Sequence, residues 1–233
     1  GQLKKVKRAN GGMIIAMCGC MMQEPEVVEK IKTSYKFVDI VFGTFNIFKL
    51  AELMYMCFTG DEQVIDIWDS TKEVVEELPT SRKYPFKSGV NIMFGCNNFC
   101  TYCIVPYVRG REKSREPKEI IREIERLVSD GVKEVMLLGQ NVNSYGKDLN
   151  NGTDFATLLE AVAKTGIDRI RFTTSHPWDF NADMIDIIAK YDNIMPSIHL
   201  PVQSGNDEVL NLMGRRYSQA SYLKLLDMTQ EKI

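Results

Sequence analysis

Three cysteines lie within eight residues in the stretch Gly95-Cys96-Asn97-Asn98-Phe99-Cys100-Thr101-Tyr102-Cys103, at the spacing C-x3-C-x2-C. A loop this short can direct three thiolates at one metal centre, and three thiolates suit a [4Fe-4S] cluster with one iron left without a protein ligand. Thiolate is a soft ligand that selects iron–sulfur clusters or zinc over hard cations. The spacing therefore predicts that Cys96, Cys100 and Cys103 hold one [4Fe-4S] cluster.

A structural zinc site and a disulfide are the alternatives for these cysteines. Structural zinc sites commonly join two C-x2-C units, and the sequence contains only the unit at Cys100 and Cys103. A disulfide is disfavoured because the six cysteines fall in uneven clusters and the first residues are polar rather than signal-like. We therefore expect a cytoplasmic protein whose thiols serve metals, and the lack of a long apolar run predicts no membrane partner.

Composition and charge limit the class of protein. The chain has 233 residues, 44% hydrophobic and 26% charged, which suits one large globular domain or two small ones. A formal net charge of −2 excludes a globally basic nucleic-acid-binding protein. Cations cluster locally in Arg109-Gly110-Arg111-Glu112-Lys113-Ser114-Arg115 and at Arg215 and Arg216. Phosphate contact would explain both groups, and a solvated, salt-bridged face explains them equally well.

Strands and helices alternate from residue 88 onward. The predicted units are strand 90–94 with helix 117–130, strand 134–138 with helix 154–165, strand 169–173 with helix 181–190, and strand 197–200 with helices 206–213 and 218–231. Gly95 permits a sharp turn out of the first strand into the cysteine loop. This order predicts parallel strands with right-handed crossovers, in too few units to close an eight-stranded barrel.

A strand–helix–strand–helix pattern precedes this region, which is half of a doubly wound α/β unit. Its predicted elements are a fully buried strand over 13–17, a helix over 25–33, a strand over 38–43 and a helix over 47–58. We interpret residues 1–59 as the C-terminal part of an N-terminal domain, 60–87 as a linker with an edge-strand pattern over 64–68, and 88–233 as the cysteine-loop domain. Cys18, on the first of these strands, is interpreted as a core residue.

Polar side chains follow three of the predicted strands, where α/β barrels place their chemistry. They are Gln140, Asn141 and Asn143 after the second strand, Ser175 and His176 after the third, and Gln203 and Ser204 after the fourth. The amides could bind an amino-acid moiety or a ribose, or they could complete turns of the backbone. His176 is either a titrating group or the hydrogen-bonding cap of its loop.

The cysteine motif, with Tyr102 directly before its last cysteine, resembles that of the radical S-adenosylmethionine superfamily. The resemblance implies a partial (β/α) barrel of six units, so this chain is expected to stop before the last two strands. It implies that the open iron chelates S-adenosylmethionine and that one electron cleaves the sulfonium to give a 5′-deoxyadenosyl radical. The cofactor contacts expected from it are Tyr102, Gln140, Asn141, Asn143, Ser175, Gln203 and Arg215.

Further motifs resemble the methylthiotransferases of that superfamily, and especially their tRNA-modifying branch. They lie at residues 19–23, 105–112, 139–145, 174–177 and 199–205. The resemblance implies addition of CH3–S to C2 of N6-isopentenyladenosine next to the anticodon, with the tRNA anticodon stem–loop as partner and a flavodoxin or ferredoxin as electron donor. It also implies a second [4Fe-4S] cluster in the full-length protein, with Cys20 as one ligand and the other two before Gly1.

Other functions remain open at this point. The target could be another tRNA adenosine derivative or a ribosomal protein, or the chain could be an iron–sulfur carrier or binding module without radical chemistry. No catalytic side chain is assigned, because in cofactor enzymes the cofactor performs the hard step and the protein orients it. The chain is expected to be truncated at both ends, which leaves the second cluster and the activity of this fragment in question.

Overall fold

The computed structural model describes residues 2–71, 74, 76 and 81–233. These residues form two compact units. The first unit contains the described residues up to 76 together with 107–110, and the second contains residues 81–106 and 111–233. The chain therefore leaves the second unit after residue 106, contributes four residues to the first unit, and returns.

A three-stranded parallel sheet in the order β1-β2-β3 forms the centre of the first unit. The elements are α1 (Gln2–Ala9), β1 (Ala16–Cys18), α2 (Pro25–Ser34), β2 (Ile40–Phe42), α3 (Leu50–Thr59) and β3 (Val64–Asp66). Because successive side chains of a strand point to opposite faces, Val41 packs in one cluster with Ile31 of α2, while Ile40 and Phe42 pack with Leu53 of α3. The predicted α/β arrangement of this unit is confirmed.

Some details of the first unit differ from the predictions. The strand predicted over 13–17 begins at Ala16 and is not fully buried, because β1 lies at the edge of the described sheet. Cys18, interpreted as a core residue, is exposed for the same reason. Residues 64–66 of the predicted linker form β3, which pairs with β2. Residues 72, 73, 75 and 77–80 of that linker lie outside the described residues.

A second parallel sheet, in the order β4-β7-β8, organises the second unit. From residue 87 onward the elements are β4 (Lys87–Asn91), β5 (Met93–Phe94), α4 (Val105–Val108), β6 (Lys113–Ser114), α5 (Pro117–Ser129), β7 (Glu134–Leu138), α6 (Phe155–Ala163), β8 (Arg169–Phe172), α7 (Ala182–Lys190), α8 (Asp207–Leu212) and α9 (Gln219–Lys232). The predicted order of parallel strands and helices is confirmed for β4, β7 and β8. In the part of the chain that the structure describes, no helix has both the length and the apolar character to cross a membrane.

Two predicted strands of this unit take a different form. The strand predicted over 90–94 is divided, because β4 ends at Asn91 and β5 turns away to pair antiparallel with β6. The described residues 197–200 form no strand, and the next parallel neighbour of β8 is reduced to one bridge between Ile170 and Ile194. Pro196 and Pro201 bracket that segment, and proline has no N–H to donate to a sheet ladder.

The core of the second unit lies between the β4-β7-β8 sheet and the helices packed on it. Helix α5 contributes Ile120, Ile124 and Leu127, whose spacing places them on one face. Strand β7 contributes Val135 and Leu137, which are two residues apart and share a face. Burying each of these side chains stabilises the fold by roughly 1.5–3 kcal/mol. This rigid sheet sets the positions of the loops that follow its strands.

Candidate metal centre and adjoining ligand site

The cysteine loop begins where β5 ends. Gly95 adopts φ +70°, a left-handed conformation that glycine reaches without strain and that turns the chain sharply after Phe94. Cys96 and Cys100 are buried, Cys103 is partly exposed, and all three are free thiols. The Cys103 N–H donates to the Cys100 carbonyl at 2.9 Å, which closes the second half of the loop into a tight turn.

Hydrogen bonds hold the cysteine loop in place from two sides. On one side, the Asn97 N–H donates to Glu112 Oε1 at 3.2 Å, and the Glu112 N–H donates back to Asn97 Oδ1 at 3.2 Å. On the other side, Thr101 donates its N–H to the Met213 carbonyl at 3.1 Å and its hydroxyl to the Leu212 carbonyl at 3.0 Å. The loop is thus fixed to the segment before α5 and to the end of α8.

The three thiols of this loop interact electrostatically. Burial raises the pKa of the Cys96 thiol, and the charges of Glu112, Cys100 and Cys103 raise that pKa further, against a lowering by the backbone hydrogen bond from Asn98. A thiolate at Cys96 is therefore unfavourable unless a cationic centre neutralises it.

The donor chemistry of the loop fits an iron–sulfur cluster, since three soft thiolates are the ligands that such clusters take. Among the described residues, no three or more Cys, His, Asp or Glu side chains form a group that could hold a single metal ion.

Buried polar atoms without hydrogen-bond partners mark a second feature of this unit. Within the described residues they are Gln140 Oε1, Asn141 Oδ1, Asn143 Oδ1, Ser175 Oγ and Arg215 Nε. All five belong to residues predicted to contact a cofactor. A buried polar atom without a partner costs about 1–3 kcal/mol, so these five atoms are candidates for contact with a ligand. The three amide oxygens would accept hydrogen bonds, and Arg215 Nε would donate one.

The amide side chains are oriented by the protein itself. Asn141 donates through Nδ2 to Asp179 Oδ2 at 2.6 Å, and Asn143 donates through Nδ2 to Met184 Sδ at 3.1 Å. Each amide therefore uses an N–H of Nδ2 for a contact within the fold, and its oxygen remains available for another partner. Lys147 pairs with the buried carboxylate of Asp179 and completes this support.

Asp179 and Lys147 were missed by the sequence reasoning. Their partners lie more than thirty residues away in sequence, so no local spacing signals the contact. Asp179 is buried, and its position in the turn after β8 is what connects that turn to the loop after β7.

Two predicted cofactor contacts do not join the buried group. Gln203 is exposed and adopts φ +68° in the segment that forms no strand. Tyr102 is exposed, and Arg215 donates to its hydroxyl through Nη2 while the guanidinium lies 5.7 Å from the ring centroid. Tyr102 therefore connects the cysteine loop to Arg215, whose Nε belongs to the buried group.

His176 acts as a cap in this structure. Its Nδ1 accepts a hydrogen bond from the Trp178 N–H at 3.2 Å. Burial and, to a smaller extent, the charge of Arg215 lower the pKa of His176 to about 4, against an opposing effect of Asp179. The ring is therefore neutral at physiological pH, with its proton on Nε2. Of the two roles considered from the sequence, the capping role is the one the geometry shows.

The basic stretch 109–115 does not form one exposed patch. Arg115 is buried, pairs with Glu123 at 2.7 Å and donates to the Asn91 carbonyl at 2.6 Å. Arg111 lies over the Phe99 ring at 4.3 Å. Arg109 belongs to the first unit. Of the two alternatives considered for this stretch, the geometry of Arg115 favours the salt-bridged one, because its charge is used inside the fold.

Cys20 lies in the first unit, in the turn after β1, and is partly exposed. Arg109 Nε donates to its sulfur at 3.1 Å. Among the described residues, no group of three metal-ligating side chains includes Cys20. A second [4Fe-4S] cluster does not fit on the residues of this chain, because Cys20 supplies only one of the thiolates that such a cluster takes.

Comparison with known proteins gives the following matches. Residues 90–233 match the sequence model of the Radical SAM superfamily. A relative named tRNA-2-methylthio-N(6)-dimethylallyladenosine synthase from Lachnoclostridium phytofermentans is 60% identical over 228 residues, covering 97% of this chain and 50% of the relative. One of the same name from Alkaliphilus oremlandii is 51% identical over 234 residues, covering 100% of this chain and 50% of the relative. The chain thus spans about half the length of these curated relatives.

Solved structures share the fold at low sequence identity. The cobalamin-dependent S-adenosylmethionine radical enzyme OxsB matches with a TM-score of 0.59 and 12% identity, covering 98% of this chain and 40% of that protein. The radical S-adenosylmethionine methyltransferase TsrM from Kitasatospora setae matches with a TM-score of 0.51 and 16% identity, covering 64% of this chain and 29% of that protein. At these identities the likeness concerns the fold alone.

Proposed function

We propose that this chain, which belongs to the radical S-adenosylmethionine superfamily, is the part of a tRNA methylthiotransferase that carries out the radical chemistry. The substrate would be N6-isopentenyladenosine next to the anticodon of a tRNA, which receives CH3–S at C2. The names of the relatives support this substrate. The observation that carries the proposal is the group of buried polar atoms without partners on the loops after β7 and β8 and at Arg215.

Cys96, Cys100 and Cys103 would hold a [4Fe-4S] cluster. Two of these thiols are buried, and hydrogen bonds anchor the loop on both sides. Such anchoring lowers the cost of ordering the ligands. Three cysteines would leave one iron of such a cluster without a protein ligand, and S-adenosylmethionine would bind there.

The buried polar atoms would hold S-adenosylmethionine. Its ammonium and ribose hydroxyls are donors that match the free oxygens of Gln140, Asn141 and Asn143. Its carboxylate matches the guanidinium of Arg215, since arginine binds carboxylates through a planar fork of N–H groups. Ser175 Oγ can donate or accept. Tyr102 and Gln203 remain proposed contacts that would have to turn toward the ligand from exposed positions.

When bound, the cluster and S-adenosylmethionine supply a radical that removes hydrogen from a C–H bond too weakly acidic for any general base. The side chains of this chain bind and orient these groups and keep water away from them. His176 is neutral and hydrogen-bonded to its own turn, so its proposed role is to hold the β8 loop rather than to move a proton.

The remaining assignments belong to the full-length protein. We propose that residues 1–59, together with β3 (Val64–Asp66), are part of the N-terminal domain of a methylthiotransferase. The rest of 60–87 would connect it to the radical domain, which would span 88–233. Cys20 would ligate a second cluster only together with cysteines supplied from elsewhere. The partners would be the tRNA anticodon stem–loop and a flavodoxin or ferredoxin as electron donor, and the location would be the cytoplasm, where tRNA is modified.

The deciding experiment is anaerobic reconstitution followed by iron and sulfide analysis and EPR of the reduced cluster with and without S-adenosylmethionine. About four irons per chain and an EPR signal altered by S-adenosylmethionine are the expected results. A cluster that ignores S-adenosylmethionine would instead identify an iron–sulfur carrier, and zinc in place of iron would identify a structural site. Mass spectrometry of tRNA and of ribosomal protein after turnover by the full-length enzyme separates the possible targets.

A further inference from the structure

A cavity of about 680 Å³ lies in the second unit, between the turn after β8, the end of α8 and the first half of α9. Its volume falls in the range of small-ligand sites in proteins. Two tyrosines of its wall are fixed by hydrogen bonds: Tyr217 donates to the Val202 carbonyl and Tyr222 donates to the Leu200 carbonyl, both at 2.8 Å. The cavity is therefore preformed, and it adjoins the proposed S-adenosylmethionine site, because Arg215 lines it as well.

The rim of this cavity combines an exposed indole with unpaired cations. Trp178 is 55% exposed, although tryptophan is usually well buried in proteins. Arg216 and Lys224 line the same cavity and are exposed, and within the described residues neither takes part in an ion pair. The carboxylate of Asp207 also lines the cavity and accepts a hydrogen bond from the Gln219 N–H at 2.7 Å, which leaves its charge in place. Because Arg215 lines the cavity too, three cations face one carboxylate and the net charge of the lining is positive.

We propose that this cavity binds an unpaired nucleotide of the RNA substrate, with its base on Trp178 and its phosphates at Arg216 and Lys224. Single-stranded nucleic acids are commonly held by an aromatic platform beside a basic groove, and both parts are present here. The substrate class rests on the proposed function. The cavity shares Arg215 with the proposed S-adenosylmethionine site, whereas Trp178, Arg216 and Lys224 lie outside that buried group.

Fluorescence of Trp178 tests the base contact directly. The chain contains two tryptophans, so a Trp68→Phe variant leaves Trp178 as the sole reporter. The probe is an RNA hairpin with a single-stranded anticodon loop, and the control RNA is its stem closed as a blunt duplex. We expect the hairpin to quench Trp178 at concentrations where the duplex does not. Circular dichroism of Trp68→Phe verifies that the reporter variant is folded.

Substitutions on the rim test the same contact without fluorescence. Trp178→Ala should weaken hairpin binding about tenfold, the size expected for loss of one stacked base, whereas Trp178→Phe should largely retain it. Arg216→Ala and Lys224→Ala should each lower the slope of log K against log salt by about 0.7, as expected for one phosphate contact on a single strand. Lys118→Ala, an exposed lysine on α5, removes the same charge away from the cavity and should change neither quantity.

Three results would overturn the proposal. In the first, the hairpin leaves Trp178 fluorescence unchanged and binds the wild-type and Trp178→Ala chains with equal affinity. In the second, the wild-type chain binds no RNA. S-adenosylmethionine alone could quench Trp178, which would assign the cavity to the cofactor. None of these results requires loss of the EPR response to S-adenosylmethionine, so failure of this site and failure of the proposed radical chemistry are distinguishable.

Discussion

Thr101 donates its hydroxyl hydrogen to the carbonyl oxygen of Leu212 at 3.0 Å, and this bond joins the cysteine loop to the end of α8. The last carbonyls of a helix have no partner within the helix, so the loop satisfies groups that α8 leaves open. Thr101 lies between Cys100 and Cys103, and Arg215 follows α8. One contact therefore sets the position of two proposed cluster ligands relative to the proposed carboxylate-binding arginine.

Replacing Thr101 with valine keeps the shape of the side chain and removes this hydroxyl. We expect the free energy of unfolding to fall by about 1 kcal/mol, the usual net value of one hydrogen bond, as measured by denaturant unfolding. Thr101→Ser keeps the hydroxyl and should stay close to wild type. Equal stability of the valine and wild-type chains would show that the contact with Leu212 contributes nothing.

Cys103→Ala should abolish the reconstituted cluster, because two thiolates from this loop cannot hold three of its irons. The measurement is iron per chain after anaerobic reconstitution. Cys57→Ala is the matched control, since Cys57 is a partly exposed thiol of α3 that packs against the Leu53 cluster and should leave the iron content unchanged. Full iron content in Cys103→Ala would refute the assignment of this loop.

Ser175→Ala should affect the free and the liganded protein differently. The Ser175 hydroxyl is buried without a partner, so its removal should leave the ligand-free chain equally stable or up to about 1 kcal/mol more stable. Affinity for S-adenosylmethionine should fall about tenfold if the hydroxyl binds that ligand. Thermal unfolding with and without S-adenosylmethionine measures both quantities. A less stable ligand-free variant with unchanged affinity would assign the hydroxyl to the fold instead.

Acid should destabilise the chain through His176. Its pKa is about 4 in the folded state and about 6.5 when unfolded, so between those pH values the unfolded chain binds the proton more readily. The contribution of His176 to the free energy of unfolding is therefore fully present above pH 6.5 and is lost as the pH falls toward 4. We expect a loss of about 2 kcal/mol, because water at the ring reduces the full effect. His176→Gln keeps an acceptor for the Trp178 N–H and should flatten this part of the stability–pH curve. An unchanged curve would mean that other groups cause it.

Arg115→Ala should lower the free energy of unfolding by about 2–3 kcal/mol, because it leaves Glu123 without its partner and the Asn91 carbonyl without its donor. Arg122→Ala, which removes an exposed ion pair with Glu119 on the same helix, should cost less than 1 kcal/mol. Denaturant unfolding compares the two. If Arg115→Ala unfolded with the wild-type free energy but bound RNA more weakly, Arg115 would contact phosphate rather than stabilise the fold.

Local periodicity predicted those elements whose contacts are close in sequence. Helix α5 follows from the spacing of Ile120, Ile124 and Leu127, and strand β7 has the predicted bounds. The division of the first predicted strand could not be foreseen, because β5 and β6 are two residues each and carry no period. The strand predicted over 197–200 does not form. Apolar alternation indicated a strand, but the flanking prolines, Pro196 and Pro201, have no N–H to donate to a sheet ladder.

The residues of the candidate site were proposed from chemical type and from position after strands, and their role as ligand contacts stays a prediction. Of these residues, Asn141, Asn143 and Ser175 have a buried atom without a partner, as does Arg215 after α8. Burial of Arg115 depends on Asn91, 24 residues away, and orientation of Asn141 depends on Asp179, 38 residues away. Such pairings arise only when separate elements pack together, so spacing along one element cannot report them.

The excursion of residues 107–110 into the first unit has a consequence for synthesis on the ribosome. The first unit, although it contains the earlier part of the chain, lacks four of its residues until the segment after the cysteine loop has emerged. The segment 107–110 is separated in sequence from the rest of the first unit by about thirty residues of the second unit. The residues of the first unit are therefore all available only after part of the second unit has been made, and a shortened chain that ends before residue 107 would lack the 107–110 segment of the first unit and most of the second.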